Sequence, residues 1–202
     1  MASETKTEQM KKIKDAILSL TESPLYEYRT SNKYFPVIGE GSHDADIVFI
    51  GEAPGKNEAM TGRPFCGASG RILSEMLASI NLTREDVYIT NIVKDRPQDN
   101  RDPLPAEIAL YSPFLDDQIN IIQPKVIATL GRFSMKYILE KFNCPESVQT
   151  ITNLHGKLIP TKAAYGPIHI VPLYHPAVAL YSGSSKQTLL NDAQTLVPFL
   201  AK

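Results

Sequence analysis

The chain has 202 residues, 43% hydrophobic and 21% charged, with a net charge of -1 and a pI near 6.4. This is the composition of an ordinary globular domain with its own core, and no apolar run reaches the ~18 residues of a membrane span. The opening residues Met1-Ala2-Ser3-Glu4-Thr5-Lys6 lack the apolar segment of a signal peptide, so the expectation is one cytoplasmic domain over residues 1–202, monomeric and free of membranes.

Met10, Ile13, Ile17 and Leu20 recur at helical spacing over residues 8–20. Residues 21–45 read as irregular, with Pro24, Pro36 and a Gly39-Glu40-Gly41-Ser42 turn. Asp46–Ile50 is an apolar strand that ends in Gly51-Glu52-Ala53-Pro54-Gly55. Gly67-Ala68-Ser69-Gly70 opens a helix to about Ile80, and Asp86–Val93 is a second strand. Pro105–Gln123 is a helix in which Pro113 predicts a kink or a broken start. Lys125–Leu130 is a third strand, followed by a helix from Gly131 to about Phe142. A short strand near Lys157–Pro160 and a further one at Ile168–Leu173 precede Tyr174-His175-Pro176-Ala177, and Lys186–Leu200 closes as a helix. Strands alternating with helices predict an α/β fold, a three-layer α/β/α sandwich around a mainly parallel, four-stranded sheet.

The two cysteines, Cys66 and Cys144, are too few for a disulfide framework; one bridge or two buried thiols both fit the sequence. The balance of charge argues mildly against a nucleic-acid partner, which needs Lys and Arg to neutralise phosphates. Local asymmetry can supply them: Lys94, Arg96 and Arg101 share one loop, and Arg63, Arg71, Arg132 and Lys186 stand at other loop–helix junctions.

Three loops leave the carboxyl ends of predicted strands with polar groups: Glu52 with Glu58 and Phe65, then Asn91, then His175. In a parallel sheet these ends converge on one edge, where open α/β folds bind ligands. The result is a pocket of two carboxylates, an aromatic face, an amide and an imidazole. No Walker A loop, HExxH or Ser-His-Asp order is present.

The stretch GEAPGKNEAMTGRPFCGASG resembles the first motif of the family 4 uracil-DNA glycosylases of bacteria and archaea. ITNIVKDRPQDNRDPLPAE looks like the second and LYHPAVALY like the last, so the resemblance spans about Ile17 to Leu200. It implies an enzyme that removes uracil from DNA by hydrolysing its N-glycosidic bond. Phe65 matches the ring that stacks on the flipped base, with Gly51 and Ala53 beside it in the base-binding loop. Asn91 matches the amide that reads the pairing edge, and His175 the imidazole near uracil O2. Glu52 and Glu58 match the two acidic positions, although the family usually follows the second with Asp, where Ala59 stands. Ser69, Arg96, Ala177, Leu180, Tyr181 and Lys186 are the implied DNA contacts, with Leu180 or Tyr181 as a wedge in the gap left by the base. The implied partner is uracil-containing DNA.

The chemistry needs these residue types. A base inside a duplex must be extruded before a protein can act on it, and an aromatic face recovers about 1–3 kcal/mol of lost stacking. Uracil presents an N3–H donor beside an O4 acceptor, which an Asn side chain matches and cytosine's reversed pattern does not.

Family 4 proteins usually carry a [4Fe–4S] cluster on four cysteines. The corresponding places here hold Leu20, Ser23, Asp95 and Tyr111, so the expectation is no metal and no cofactor. Two alternatives stand beside the hydrolase. One is a catalytically weak uracil-DNA binding or scaffold protein of the same fold. The other, a group that links covalently to abasic DNA through a loop histidine, is disfavoured because Lys94–Pro103 contains no His.

Overall fold

The structure is a computed structural model and describes residues 4–200. Helix α1 (Lys6–Leu18) starts at a capping box, in which the Thr5 hydroxyl accepts from the Glu8 N–H and the Glu8 carboxylate accepts from the Thr5 N–H. A short α2 (Tyr26–Ser31) and a two-residue strand β1 (Glu40–Gly41) lead into β2 (Ile47–Gly51). Helices α3 (Lys56–Thr61) and α4 (Ala68–Ala78) precede β3 (Tyr88–Asn91). Then come α5 (Pro105–Ile122), β4 (Val126–Leu130), α6 (Arg132–Lys141) and the single turn α7 (Ile151–Leu154). An edge hairpin of β5 (Ile159–Ala163) and β6 (Gly166–Leu173), a 3-10 turn (Pro176–Leu180), α8 (Gly183–Ala193) and a last 3-10 segment (Gln194–Phe199) complete the chain.

The sheet has six strands, not the four expected, in the order β1-β3-β2-β4-β6-β5. The central four are parallel, as read from the sequence, and an antiparallel strand closes each edge. Both extra strands lack the apolar run of a buried strand: β1 is Glu-Gly, and the middle of β5 is solvent-facing Pro160, Thr161 and Lys162. Pro113 does not break its helix, which is continuous from Pro105 to Ile122.

Strand periodicity divides the core in two. Val48, Ile50, Ile127 and Ile170 face α1, α5 and α6, and Ile47, Phe49, Val126, Ala128 and Val171 face α4 and α8. Both faces are thereby covered, which gives the three layers. From β2 the chain crosses to β3 on one side and, through α5, returns to β4 on the other. Loops therefore diverge at the carboxyl ends of β2 and β4, the topology that opens a ligand crevice. Among the described residues no helix is long and apolar enough to cross a membrane.

Candidate active site

A cavity of about 180 Å³ lies at that edge, walled by Ala53, Gly55, Glu58, Phe65, Ser69, Asn91 and His175. Three sequence segments far apart in the chain thus meet, as the strand ends required. The space suits one six-membered ring.

Phe65 is 7% exposed, and its ring centroid is 5.7 Å from that of His175. Its backbone is left-handed, with φ 47°, which is uncommon outside glycine. The strain is held from two sides. Arg84 donates to the Pro64 carbonyl at 2.7 Å and to the Phe65 carbonyl at 3.3 Å. Gly70 lets the same carbonyl press onto α4: a Cβ there would stand 1.7 Å from the Phe65 oxygen. Gly51 clears the floor in a similar way, since a Cβ would lie 2.3 Å from Asn91 Oδ1 and 2.7 Å from the Phe65 ring. Arg84 is itself oriented by Glu40, at 3.2 Å, and Glu40 also takes both forks of Arg63. This clamp had no signal in the sequence, where Arg84 and Glu40 are ordinary surface residues.

Asn91 ends β3 and is buried. Its Oδ1 has no hydrogen-bond partner. A buried amide oxygen without a donor is costly, and the Asn91 side chain walls the cavity. Glu58 Oε1 accepts from the backbone N–H groups of Cys66 and Gly67, at 3.0 and 3.1 Å, and so fixes the loop at the start of α4. Its second oxygen is free of protein donors in the described residues.

His175 Nδ1 accepts from the Ala177 N–H at 3.2 Å, which leaves the proton of the neutral ring on Nε2. Burial pulls the imidazole below its ordinary pKa, against the opposing pull of Glu58, so the neutral donor form prevails near pH 7. Glu52 is half-buried beside the cavity and is not among the residues that wall it. Burial pushes its carboxyl up to about 7, Asp102 adds to the rise, and Arg132 opposes it.

The other expected DNA contacts divide. Leu180, which ends the 3-10 turn after His175, is 40% exposed and Tyr181 beyond it 89%, so neither is a core residue. Lys186 is paired with Glu75. The expected basic loop turns inward. Lys94 is fully buried, Arg96 bonds the hydroxyls of Tyr28 and Tyr34 and the Asn100 side chain, and Arg101 bonds Glu107 at 2.8 Å. Internal acceptors take Nε and Nη1 of Arg96, which is 8% exposed. Cys66 is exposed and Cys144 buried, and both thiols are free, so the alternative of two buried thiols holds for Cys144 alone.

The four places where the resemblance puts cluster thiolates hold a hydrogen-bonded network. Tyr111 donates to Asp95 at 2.6 Å and sits 2.7 Å from Ser23 Oγ. Arg29 pairs with Asp95 at 3.0 Å and donates to the carbonyls of Ile17 and Leu18 at the end of α1. Leu20 is buried beside them. Hydroxyls, a carboxylate already bound to arginine and a leucine do not fit a cluster that needs four thiolates.

A doubly wound sheet with a one-ring pocket at its carboxyl edge, walled by an aromatic ring, an amide and an imidazole, defines a base-recognising α/β protein. Residues 38–194 match the model of the Uracil DNA glycosylase superfamily, and the chain belongs to it. It is 45% identical over 186 residues to the type-4 uracil-DNA glycosylase of Sulfurisphaera tokodaii, covering 92% of this chain and 82% of that protein. The type-4 enzyme of Archaeoglobus fulgidus is 42% identical over 82% of this chain and 81% of its own length. That of Thermotoga maritima is 36% identical over 98% of both.

Proposed function

We propose that this chain is a uracil-DNA glycosylase of DNA repair, a hydrolase that cuts the N-glycosidic bond of uracil in DNA and leaves an abasic site. The observation that carries the reading is Asn91, which walls a cavity of about 180 Å³ and whose buried Oδ1 has no hydrogen-bond partner. Uracil N3–H supplies the missing donor, and the amide NH₂ faces O4. Cytosine would set its N3 acceptor against the same oxygen and leave both unpaired.

The extruded base slides between Phe65 and the opposite wall and regains stacking. As the C1′–N1 bond breaks, its electron pair goes to the base, and positive charge grows on the sugar. Nε2–H of neutral His175 stabilises charge on O2. The Glu52 carboxylate, at the cavity's rim, stabilises the sugar cation and takes a proton from the water whose oxygen joins C1′. Glu58 holds the Phe65 loop through two amides, and its free oxygen orients that water. Leu180 and Tyr181 fill the gap in the duplex, with Ala177 and Ser69 lining the path of the strand.

No step runs through an iron–sulfur cluster, and the purified protein works as a colourless, chelator-insensitive monomer in the cytoplasm. The test is incubation with a uracil-containing oligonucleotide, followed by alkali cleavage at abasic sites. Strand breaks at the uracil position support the reading. Tight binding without breaks would favour a uracil-DNA binding protein, and neither would refute both.

A further inference from the structure

Lys94 is fully buried behind the pocket, and the mechanism above does not use it. Its Nζ has three neighbours: Thr90 Oγ1 at 2.8 Å, the Asn91 carbonyl at 2.7 Å and Gln118 Oε1 at 2.7 Å. Each acceptor is fixed. Thr90 donates to the Ile38 carbonyl at 2.8 Å, and Gln118 Nε2 donates to the same carbonyl at 2.9 Å and to the Tyr88 hydroxyl at 3.1 Å. Three acceptors match the three N–H bonds of an ammonium; a neutral amine has two. All three are uncharged, and the adjacent Asp95 is committed to Arg29 and Tyr111. The three acceptors therefore fit an ammonium held in the core without a counter-ion, while burial pulls its pKa down to about 7, so charged and neutral forms coexist near neutral pH. Maintaining an unpaired buried charge is expensive, and packing alone is served better by an apolar side chain.

The place of the charge accounts for it. Nζ, itself shut off from solvent, bonds the backbone carbonyl of the residue whose side chain walls the cavity. We propose that Lys94 is a positioning residue that pins Asn91 and sets a positive potential behind the pocket, easing departure of the uracil anion. This rests on the glycosylase reading. The other titratable group of the cluster among the described residues is Tyr88, whose hydroxyl burial keeps protonated.

The test compares Lys94→Met and Lys94→Gln with the wild type in single-turnover excision of uracil and of 5-fluorouracil from DNA. Fluorine stabilises the leaving anion, so a variant lacking the charge is helped more by it than the wild type. We expect a loss of about tenfold or more on uracil and a clearly smaller loss on 5-fluorouracil. Equal losses on both bases would reduce Lys94 to a scaffold and overturn the proposal, as would unchanged rates. Should both variants fail to fold, wild-type protein with ¹³C-labelled lysine decides. Barbiturate, a uracil-like anion, must raise the midpoint of the Lys94 titration, because coupling between two sites is reciprocal. An unmoved midpoint overturns the proposal. A wild type that releases neither base overturns the glycosylase reading instead.

Discussion

At the scale of single residues, the pocket makes separable demands on Asn91, His175 and Glu52. Asn91→Asp replaces the amide donor by an acceptor. It should cost uracil about 1–3 kcal/mol of discrimination and let some cytosine be cut. Competition between uracil and cytosine oligonucleotides measures this, and unchanged preference would remove Asn91 from base reading. His175→Ala deletes a donor aimed at developing charge. Its single-turnover rate should fall about 10²–10³-fold with little change in affinity for uracil DNA. Glu52 works as a carboxylate, and its pKa is raised to about 7. Activity should therefore rise toward pH 7 from the acid side, where Glu52→Gln should be slow and lack that limb, while loss of the Lys94 charge opposes the rise above 7. The same shift acts on stability in the opposite direction. Between about 4.5 and 7 the folded form holds a proton that the unfolded chain has released, so Glu52 makes the fold less stable as pH rises through that window. A Glu52→Gln profile that keeps the acid limb would contradict the assigned role. These three candidates could be read from the sequence because they stand at the ends of apolar strands and in segments that resemble the family motifs. Lys94 was not, because a lysine in a polar-looking loop reads as surface, and only the fold brings Gln118 and Thr90 to it.

At the scale of elements, the turn from α3 to α4 is the most constrained part of the site. Arg84→Met would free the carbonyls of Pro64 and Phe65 and let the φ 47° backbone relax. Excision should slow by about tenfold, corresponding to one or two lost hydrogen bonds. A normal rate would show that the turn keeps its shape unaided. On the opposite lip, Leu180→Ala with Tyr181→Ala should slow excision from U:A pairs more than from U:G or single strands, since paired bases resist extrusion most. Equal losses on all three substrates would argue against a wedge. Sequence periodicity placed the four parallel strands, α1, α4, α5 and α6 to within a few residues. It read β5 as a short strand near Lys157–Pro160 without counting it in the sheet, and it missed α2, α3 and β1 because they are short and mixed in polarity, and they form only against an existing neighbour. Their absence from the reading also hid Glu40, which β1 carries to the clamp.

At the scale of the whole molecule, the Arg29–Asp95–Tyr111–Ser23 network ties α1 and α2 to the segment after β3 and to α5. Arg29→Met would leave the Asp95 carboxylate buried without its partner. The expected cost is about 3–5 kcal/mol, or a fall in melting temperature of roughly 2–4 °C for each of these. A shift of a degree or less would show that the network is dispensable. Sequence comparison pointed to these positions as departures but not to Arg29, which binds the network from a helix that periodicity did not reveal. The arginine pair on Glu40 has a different reach. Arg63 is largely exposed, while Arg84 and Glu40 are mostly covered, so one ionic link is open to electrolyte and the other is sheltered. Mobile ions weaken exposed pairs on the scale of a Debye length. Added salt should thus loosen Arg63 while the Arg84 link holds the turn, so the chemical step, measured with the protein already saturated by DNA, should keep its rate as phosphate contacts weaken. Ionic strength then governs the pocket's occupancy and leaves its shape alone.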